Sequence, residues 1–218
     1  MPGRRISDAE CDELWAAWTP AELAARLADV TAPWCIVAGW ALELFTSRAA
    51  RDHGDLEIAV PRGCFDEIVA AFPDFEWDVV GDGEVWAYPE RAEDCHQTWL
   101  RDPASGRYRV DVFREHHDGD LWLCRRDESI TMPYADMILH TAAGIPFVIP
   151  EVALLFKAKG SLGVVRAKDE TDFHRVLPTL DPTRRLRLAG WLDRVHPGHP
   201  WLVELVHPEG SASVERLE

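Results

Sequence analysis

The sequence has no hydrophobic run that approaches the roughly 20 residues needed to cross a bilayer. Residues 1–5 also lack the apolar segment of a secretory signal peptide, so we expect a cytoplasmic protein without a membrane partner. Paired cysteines are missing too, because the five cysteines form no C-x-x-C pair and their number is odd. This pattern fits a reducing compartment and argues against a structural zinc module.

Positive charge is scarce. Lys and Arg number 23 against 38 Asp and Glu, which gives a net charge of −15. Because nucleic-acid binding depends on cationic contacts with phosphates, this composition argues against a nucleic-acid partner and against a polymerase. An acidic cleft would attract a cationic substrate such as an amino sugar, and a merely solubilising acidic surface explains the charge equally well.

Helix-like and strand-like segments follow one another along the chain. Two capping boxes, at Ser7 and at Thr19, predict short N-terminal helices that cover residues 8–18 and the residues after Pro20. We expect an α/β (α+β) fold with a mixed sheet and flanking helices in residues 1–150, and a helical segment in residues 151–218. The predicted strands that extend this sheet or cover its edge lie at residues 77–80, 84–88, 96–101, 108–113, 121–124, 130–132, 137–140 and 145–149.

Residues 35–60 predict a strand, a tight turn, a helix and a second strand. Gly39 lies in the turn, where glycine lets the backbone approach a ligand closely. In the second strand, Asp55 and Glu57 are two residues apart and therefore share one face. Two carboxylates this close repel each other unless a cation lies between them, and a divalent metal is the usual one. Outward-facing acids on an edge strand are the alternative interpretation.

A third carboxylate, Asp111, lies within an apolar strand. Alternation places Tyr108, Val110 and Val112 on one face of this strand and Asp111 on the other. Aspartate is depleted in strands and is costly to bury without a partner. Its presence here therefore indicates a specific role.

Together these residues resemble the nucleotidyltransferase superfamily, whose pattern is a glycine-containing turn after the first strand and Asp-x-Asp or Asp-x-Glu on the next. The segments A-G-W-A-L-E-L at 38–44 and R-x-H-x-D-x-E at 51–57 are similar to the branch of aminoglycoside 2''-adenylyltransferases and lincosamide nucleotidyltransferases. L-L-F-K-A-K at 154–159 and R-x-K-D-x-x-D-F at 166–173 resemble the same branch. One departure is Ala38, because the branch has Gly-Gly before the tryptophan, and alanine fits there only if its φ is negative.

The resemblance implies an enzyme with the nucleotidyltransferase fold, which moves a nucleoside monophosphate to a hydroxyl of a small molecule. The donor would be ATP or another NTP, and the acceptor an aminoglycoside- or lincosamide-like antibiotic, so the activity would confer antibiotic resistance. Asp55 and Glu57 would bind Mg²⁺, and Asp111 would complete the metal site or accept the hydroxyl proton. The residues that the resemblance places near the phosphates are Gly39, Arg48, Arg51, Lys157 and Lys159.

Several alternatives stay open. Each of the two lysines is equally well explained as a basic residue that complements the dipole at the C-terminus of a helix. Lys157 is favoured over Lys159 as the phosphate contact. The acceptor of the reaction is either a small molecule or a protein side chain, as in nucleotidyltransferases of toxin–antitoxin pairs. A third hypothesis, motivated by Ala38, is that the protein binds nucleotide or sugar without turnover. The sequence is compatible with a monomer and with a homodimer.

Overall fold

The computed structural model describes residues 3–48, 52–158 and 165–206. The chain divides into two compact units, Met1–Ile149 and Pro150–Glu218. The first unit contains strands and short helices, and the second unit is helical. Within the described ranges, no helix is both long enough and apolar enough to cross a membrane.

A nine-stranded mixed sheet forms the centre of the first unit, with the strand order β1-β5-β4-β6-β7-β3-β2-β12-β11. A smaller sheet has the order β10-β9-β8. The strands are β1 (Arg4–Arg5), β2 (Cys35–Ile36), β3 (Glu57–Pro61), β4 (Glu76–Gly81), β5 (Glu84–Ala87), β6 (Gln97–Arg101), β7 (Tyr108–Glu115), β8 (His117–Asp118), β9 (Leu121–Leu123), β10 (Thr131–Pro133), β11 (Ile138–His140) and β12 (Pro146–Val148).

The α-helices are short in the first unit and longer in the second. Those of the first unit are α1 (Asp8–Leu14), α2 (Pro20–Arg26), α3 (Ala38–Thr46), α4 (Phe65–Ala70) and α5 (Tyr134–Met137). Those of the second unit are α6 (Pro150–Lys157), α7 (Ala167–Val176), α8 (Pro182–Val195) and α9 (Trp201–Val206).

The two predicted N-terminal helices are present, and both begin at complete capping boxes on Ser7 and Thr19. The first helix is shorter than predicted, because Trp15 has an extended backbone and ends α1 at Leu14. Trp15 instead pairs with Tyr108 at the start of β7. Packing of its large ring against the sheet therefore outweighs continuation of the helix.

The predicted hairpin of β11 and β12 forms one edge of the large sheet, as expected. Of the two arrangements predicted for the strands near residues 121–132, extension of that sheet does not occur. β9 pairs with β8 on one side and with β10 on the other, so neither edge of β9 is left to join the large sheet. The helix α9 was not predicted, although its Trp201 stacks on Phe173 of α7 at 4.1 Å in the core of the second unit.

A β-bulge in β7 corrects the predicted faces of this strand. Leu100 pairs with Val110, but the next residue of β6, Arg101, pairs with Tyr108, so Arg109 is an extra residue. Tyr108 therefore shares a face with Asp111 rather than with Val110. On that face it meets the Trp99 ring at 4.8 Å, and α1 and Trp15 cover this part of the sheet.

Ala38 has a φ of 54°, in the left-handed region, at the start of α3. The condition stated for alanine at this position, a negative φ, is therefore not met. The chain follows the backbone path that glycine would take, although alanine is strained there by about 1–2 kcal/mol. Packing of α3 against the sheet must offset this strain, since Ala41 and Leu42 in the same helix are fully buried.

We predict that Ala38→Gly stabilises the protein. Relief of the strain exceeds the extra entropy that glycine loses on folding, about 0.5–1 kcal/mol, so Tm should rise by about 2–4 °C. The matched control is Ala41→Gly in the interior of the same helix, which should lower Tm because glycine is about 1 kcal/mol worse than alanine there. A lower Tm for both variants in thermal melts would contradict the strain at Ala38.

Candidate active site

Three carboxylates come together where β3 and β7 run side by side. Glu57 is the first residue of β3, and its register partner on the parallel strand β7 is Asp111. Paired residues on strands about 4.8 Å apart point to the same face, so these two side chains are neighbours. Asp55 was predicted to lie within this strand, but β3 begins at Glu57, so Asp55 belongs to the loop before it. The charge of Asp55 also acts on Asp111. Asp55 and Glu57 are partly exposed, whereas Asp111 is buried.

Asp111 is held in an unfavourable environment for a charged group. Gln97 donates from Nε2 to Oδ2 of Asp111 at 2.5 Å, whereas Oδ1 is buried and has no hydrogen-bond partner. Burial raises the pKa of Asp111 well above its usual value, and the negative charges of Glu57 and Asp55 raise it further. The side chains of Gln97 and Trp99, which both lower the pKa of this carboxyl group, only partly offset these effects.

The donor set of this cluster fits a hard divalent cation. Carboxylate oxygens are the ligands that Mg²⁺ prefers, and Oδ1 of Asp111 is a buried acceptor that lacks a donor. Among the described residues, only Glu170, His174 and Glu204 of the second unit form a group of three in which one ligand atom from each residue lies within 4.8 Å of the others. The three carboxylates are therefore spaced more widely, which agrees with their mutual repulsion.

The turn between β2 and α3 lies beside this cluster. The N–H of Val37 donates to the carbonyl oxygen of Glu57 at 2.9 Å, which ties the turn to the start of β3. Gly39 follows at the beginning of α3 and is buried. The first N–H groups of a helix have no acceptor within the helix and favour a negatively charged ligand. The structure thus places this turn beside the backbone of Glu57.

Trp40 and Glu43 of α3 contact the loop before β3, and we call this set of contacts the brace. The sequence analysis did not predict it. The indole Nε1 of Trp40 donates to the carbonyl oxygen of Asp55 at 3.2 Å. The ring of His53 stacks on Trp40 at 4.5 Å, and its Nε2 lies 2.8 Å from Oε1 of Glu43. Trp40 therefore contacts the backbone of a candidate metal ligand.

The residues of this brace belong to the two sequence segments that carry the resemblance. Glu43 belongs to the first segment and His53 to the second. Both side chains are almost fully buried, at 7% and 2% exposure. A buried acid ten residues before a buried histidine is expected to be paired, because each would otherwise be costly to bury.

The cationic candidates have different surroundings. Arg48 is exposed just beyond α3, whereas Arg51 and Lys159 lie outside the described residues. Lys157, in the second unit, is buried, and its Nζ lies 3.0 Å from Asp169 and 2.8 Å from Asp172. The contact with Asp169 is a hydrogen bond, whereas Oδ2 of Asp172 has no hydrogen-bond partner and makes an ion pair only. Lys157 therefore joins α6 to α7.

No protein-family model and no curated protein matches this sequence. Solved structures do match. The solution structure of the antibiotic-resistance factor ANT(2'')-Ia has a TM-score of 0.54 and 13% identity, over 86% of this chain and 94% of that chain. The crystal structure of ANT(2'')-Ia in complex with adenylyl-2''-tobramycin has a TM-score of 0.52 and 13% identity, over 80% and 95%.

A further match is the lincomycin-bound lincosamide antibiotic adenylyltransferase LnuA, with a TM-score of 0.48 and 15% identity over 78% of this chain and 96% of that chain. At these identities, likeness concerns the fold. The mixed sheet with flanking helices, and its match to both ANT(2'')-Ia structures, show that this chain has the α/β nucleotidyltransferase fold.

Proposed function

We propose that the protein is a Mg²⁺-dependent nucleotidyltransferase that transfers a nucleoside monophosphate, AMP from ATP, to a hydroxyl group of a small molecule. The observation that carries this proposal is the pairing of Glu57 with buried Asp111 on adjacent parallel strands, with Asp55 close by. The fold supports it, because ANT(2'')-Ia shares that fold and was crystallised with an adenylylated aminoglycoside.

Asp55 and Glu57 are the residues that would hold Mg²⁺. When bound, Mg²⁺ supplies positive charge against the charge that develops on the triphosphate as pyrophosphate leaves. The partly exposed positions of both side chains leave them open to a nucleotide from the solvent side. Nε1 of Trp40 holds the backbone of Asp55, and the N–H of Val37 holds the backbone of Glu57. The backbone positions of both proposed ligands are therefore fixed.

Asp111 is suited to accept a proton or to complete the metal site. Gln97 orients its carboxyl group through Oδ2 and leaves Oδ1 without a donor. A carboxylate whose pKa is raised by burial is also a stronger base than an exposed one. We therefore assign to Oδ1 of Asp111 the role of receiving the proton of the attacking hydroxyl, or of binding the cation beside it.

The acceptor that best fits the chain is a cationic amino sugar. The net charge of −15 favours encounter with a polycation and disfavours an anionic acceptor. The non-catalytic alternative rested on Ala38, and this residue adopts the left-handed backbone that glycine would provide. That reason for doubting turnover is therefore weakened.

Lys157 is a poor candidate for the phosphate contact in the conformation described. Removing its ammonium group from Asp169 and Asp172 would leave two buried carboxylates without a cation, and breaking a buried pair costs about 3–5 kcal/mol. Cationic contact with the phosphates therefore falls to the arginines that follow α3, with Arg51 as the first choice and Arg48 as the second.

The proposal predicts that the protein, incubated with ATP and MgCl₂, releases pyrophosphate in the presence of at least one aminoglycoside or lincosamide. Asp55→Asn, Glu57→Gln and Asp111→Asn should each abolish transfer, because charge stabilisation worth several kcal/mol is lost. Asp74→Asn, an exposed acid of the same unit, is the matched control and should remain active.

Pyrophosphate release and the mass of each acceptor are the measurements. Full activity in all three variants would refute the site. Silence of the wild type across antibiotics and generic sugars would refute the small-molecule acceptor. In that case, incubation of the protein with labelled ATP and a cell lysate tests for a protein acceptor. A discrete labelled protein band would identify that acceptor. Tight binding of Mg-ATP in calorimetry without any turnover would identify a non-catalytic protein.

Asp111→Asn should stabilise the metal-free protein at neutral pH. The folded-state pKa of Asp111 lies above the unfolded value of about 3.9, so the wild type loses stability relative to the variant as pH rises above that value. We expect a Tm gain of about 2–4 °C at pH 7.5, which corresponds to ~1 kcal/mol, and no gain near pH 3.5. Melts in EDTA measure this, and a variant less stable than wild type at pH 7.5 would contradict it.

Trp40→Phe should lower kcat by about 10–100-fold, since displacement of a catalytic group by about 1 Å costs this much, and should change the KM for ATP little. Phenylalanine keeps the ring against His53 but cannot donate to the carbonyl oxygen of Asp55. The control is Trp86→Phe, a buried tryptophan of β5 in the same unit. Equal kcat losses in the two variants would show that Trp40 acts only through general packing.

A further inference from the structure

We propose that the second unit contains a separate binding site for a transition-metal ion such as Zn²⁺, formed by Glu170 and His174 of α7 and Glu204 of α9. One donor atom from each of the three side chains lies within 4.8 Å of the others. The site is independent of the proposed transfer reaction, because none of its residues belongs to the carboxylate cluster of the first unit.

The distances within this group match a metal-ligand set. Nε2 of His174 lies 3.1 Å from Oε2 and 3.3 Å from Oε1 of Glu204, and 3.6 Å from Oε1 of Glu170. Ligands bound tetrahedrally at about 2.0–2.1 Å are about 3.3–3.4 Å from one another. Charge-assisted hydrogen bonds are shorter, about 2.7–2.9 Å. The two contacts with Glu204 also lie within hydrogen-bond range, and all three distances are compatible with ligands of one bound ion.

A simple ion-pair cluster explains the arrangement less well. The Nε2 atom of His174 carries at most one proton, yet oxygens of two carboxylates converge on it. One proton can form a good hydrogen bond with only one of the two carboxylates. The other carboxylate is then held beside a group of like charge. A divalent cation neutralises both charges and satisfies the three donor atoms together.

Residues outside the group hold its ligands in place. Nε1 of Trp201 donates to Oε2 of Glu170 at 2.8 Å, which leaves Oε1 turned toward His174. The ring of Trp201 stacks on Phe173 at 4.1 Å with an interplanar angle of 3°. Glu170 and His174 are four residues apart on α7 and so lie on one helix face. Support of a ligand by such a neighbouring hydrogen bond is typical of metal sites.

The ligand types select the ion. An imidazole with two carboxylates suits Zn²⁺, Co²⁺ or Ni²⁺, whereas Mg²⁺ prefers oxygen ligands and water. Three protein ligands leave a position for water, and their side chains are 38–49% exposed, so the ion can enter from solvent. A bound ion would link α7 to α9 and stabilise the second unit.

The test is a calorimetric titration of EDTA-treated protein with CoCl₂ and with ZnCl₂, in excess MgCl₂ so that oxygen-ligand sites are filled. We expect one equivalent of Co²⁺ with a visible absorption band, and a rise in Tm on binding. The variants His174→Ala and Glu204→Gln should show neither the absorption band nor the rise in Tm. The matched control is His116→Ala, which removes a similar exposed pair with Glu128 in the first unit and should bind like wild type.

Two results would overturn the proposal. One is the absence of saturable binding of either ion to the wild type in the millimolar range. The other is binding that is unchanged in Glu204→Gln, since the ion would then be held elsewhere, for example by a cysteine. Glu204→Gln preserves the shape of the side chain, so a metal-free melt equal to wild type shows that any lost binding is not caused by unfolding.

Discussion

The parallel pairing of β3 with β7 is the constraint on which the candidate active site depends. It sets Glu57 beside Asp111, and it does so in the middle of a sheet where neither backbone can move away. Two acids in such positions repel each other, and burial of Asp111 increases the cost. The pairing that stabilises the fold therefore also holds unfavourable electrostatic energy, which a bound cation would release.

Much of the order of elements could be predicted from the sequence, because helix caps and strand periodicity are local patterns. The capping boxes at Ser7 and Thr19 fix where two helices begin, and alternation in β3 fixes the face of Glu57. The prediction for β7 failed at Tyr108, since a bulge depends on how two strands pair and leaves no mark in the periodicity of one strand.

The brace around Asp55 could not be predicted for a similar reason. Trp40, Glu43 and His53 were visible as motif positions, but contacts between a helix and a loop ten or more residues away are fixed by tertiary packing. Lys157 is the opposite case. Its position at the end of a helix suggested two roles, and only the three-dimensional structure shows that Asp169 and Asp172 bind it.

The bulge at Arg109 divides β7 into two parts with different tasks. The part that contains Asp111 is aligned by β3 and β6, whereas Tyr108, on the other side of the extra residue, is aligned by Trp15 and Asp78. The additional residue absorbs any mismatch between the two alignments. We therefore expect that a change in the length of the hairpin loop between β6 and β7 leaves unchanged the direction in which the carboxylate of Asp111 points.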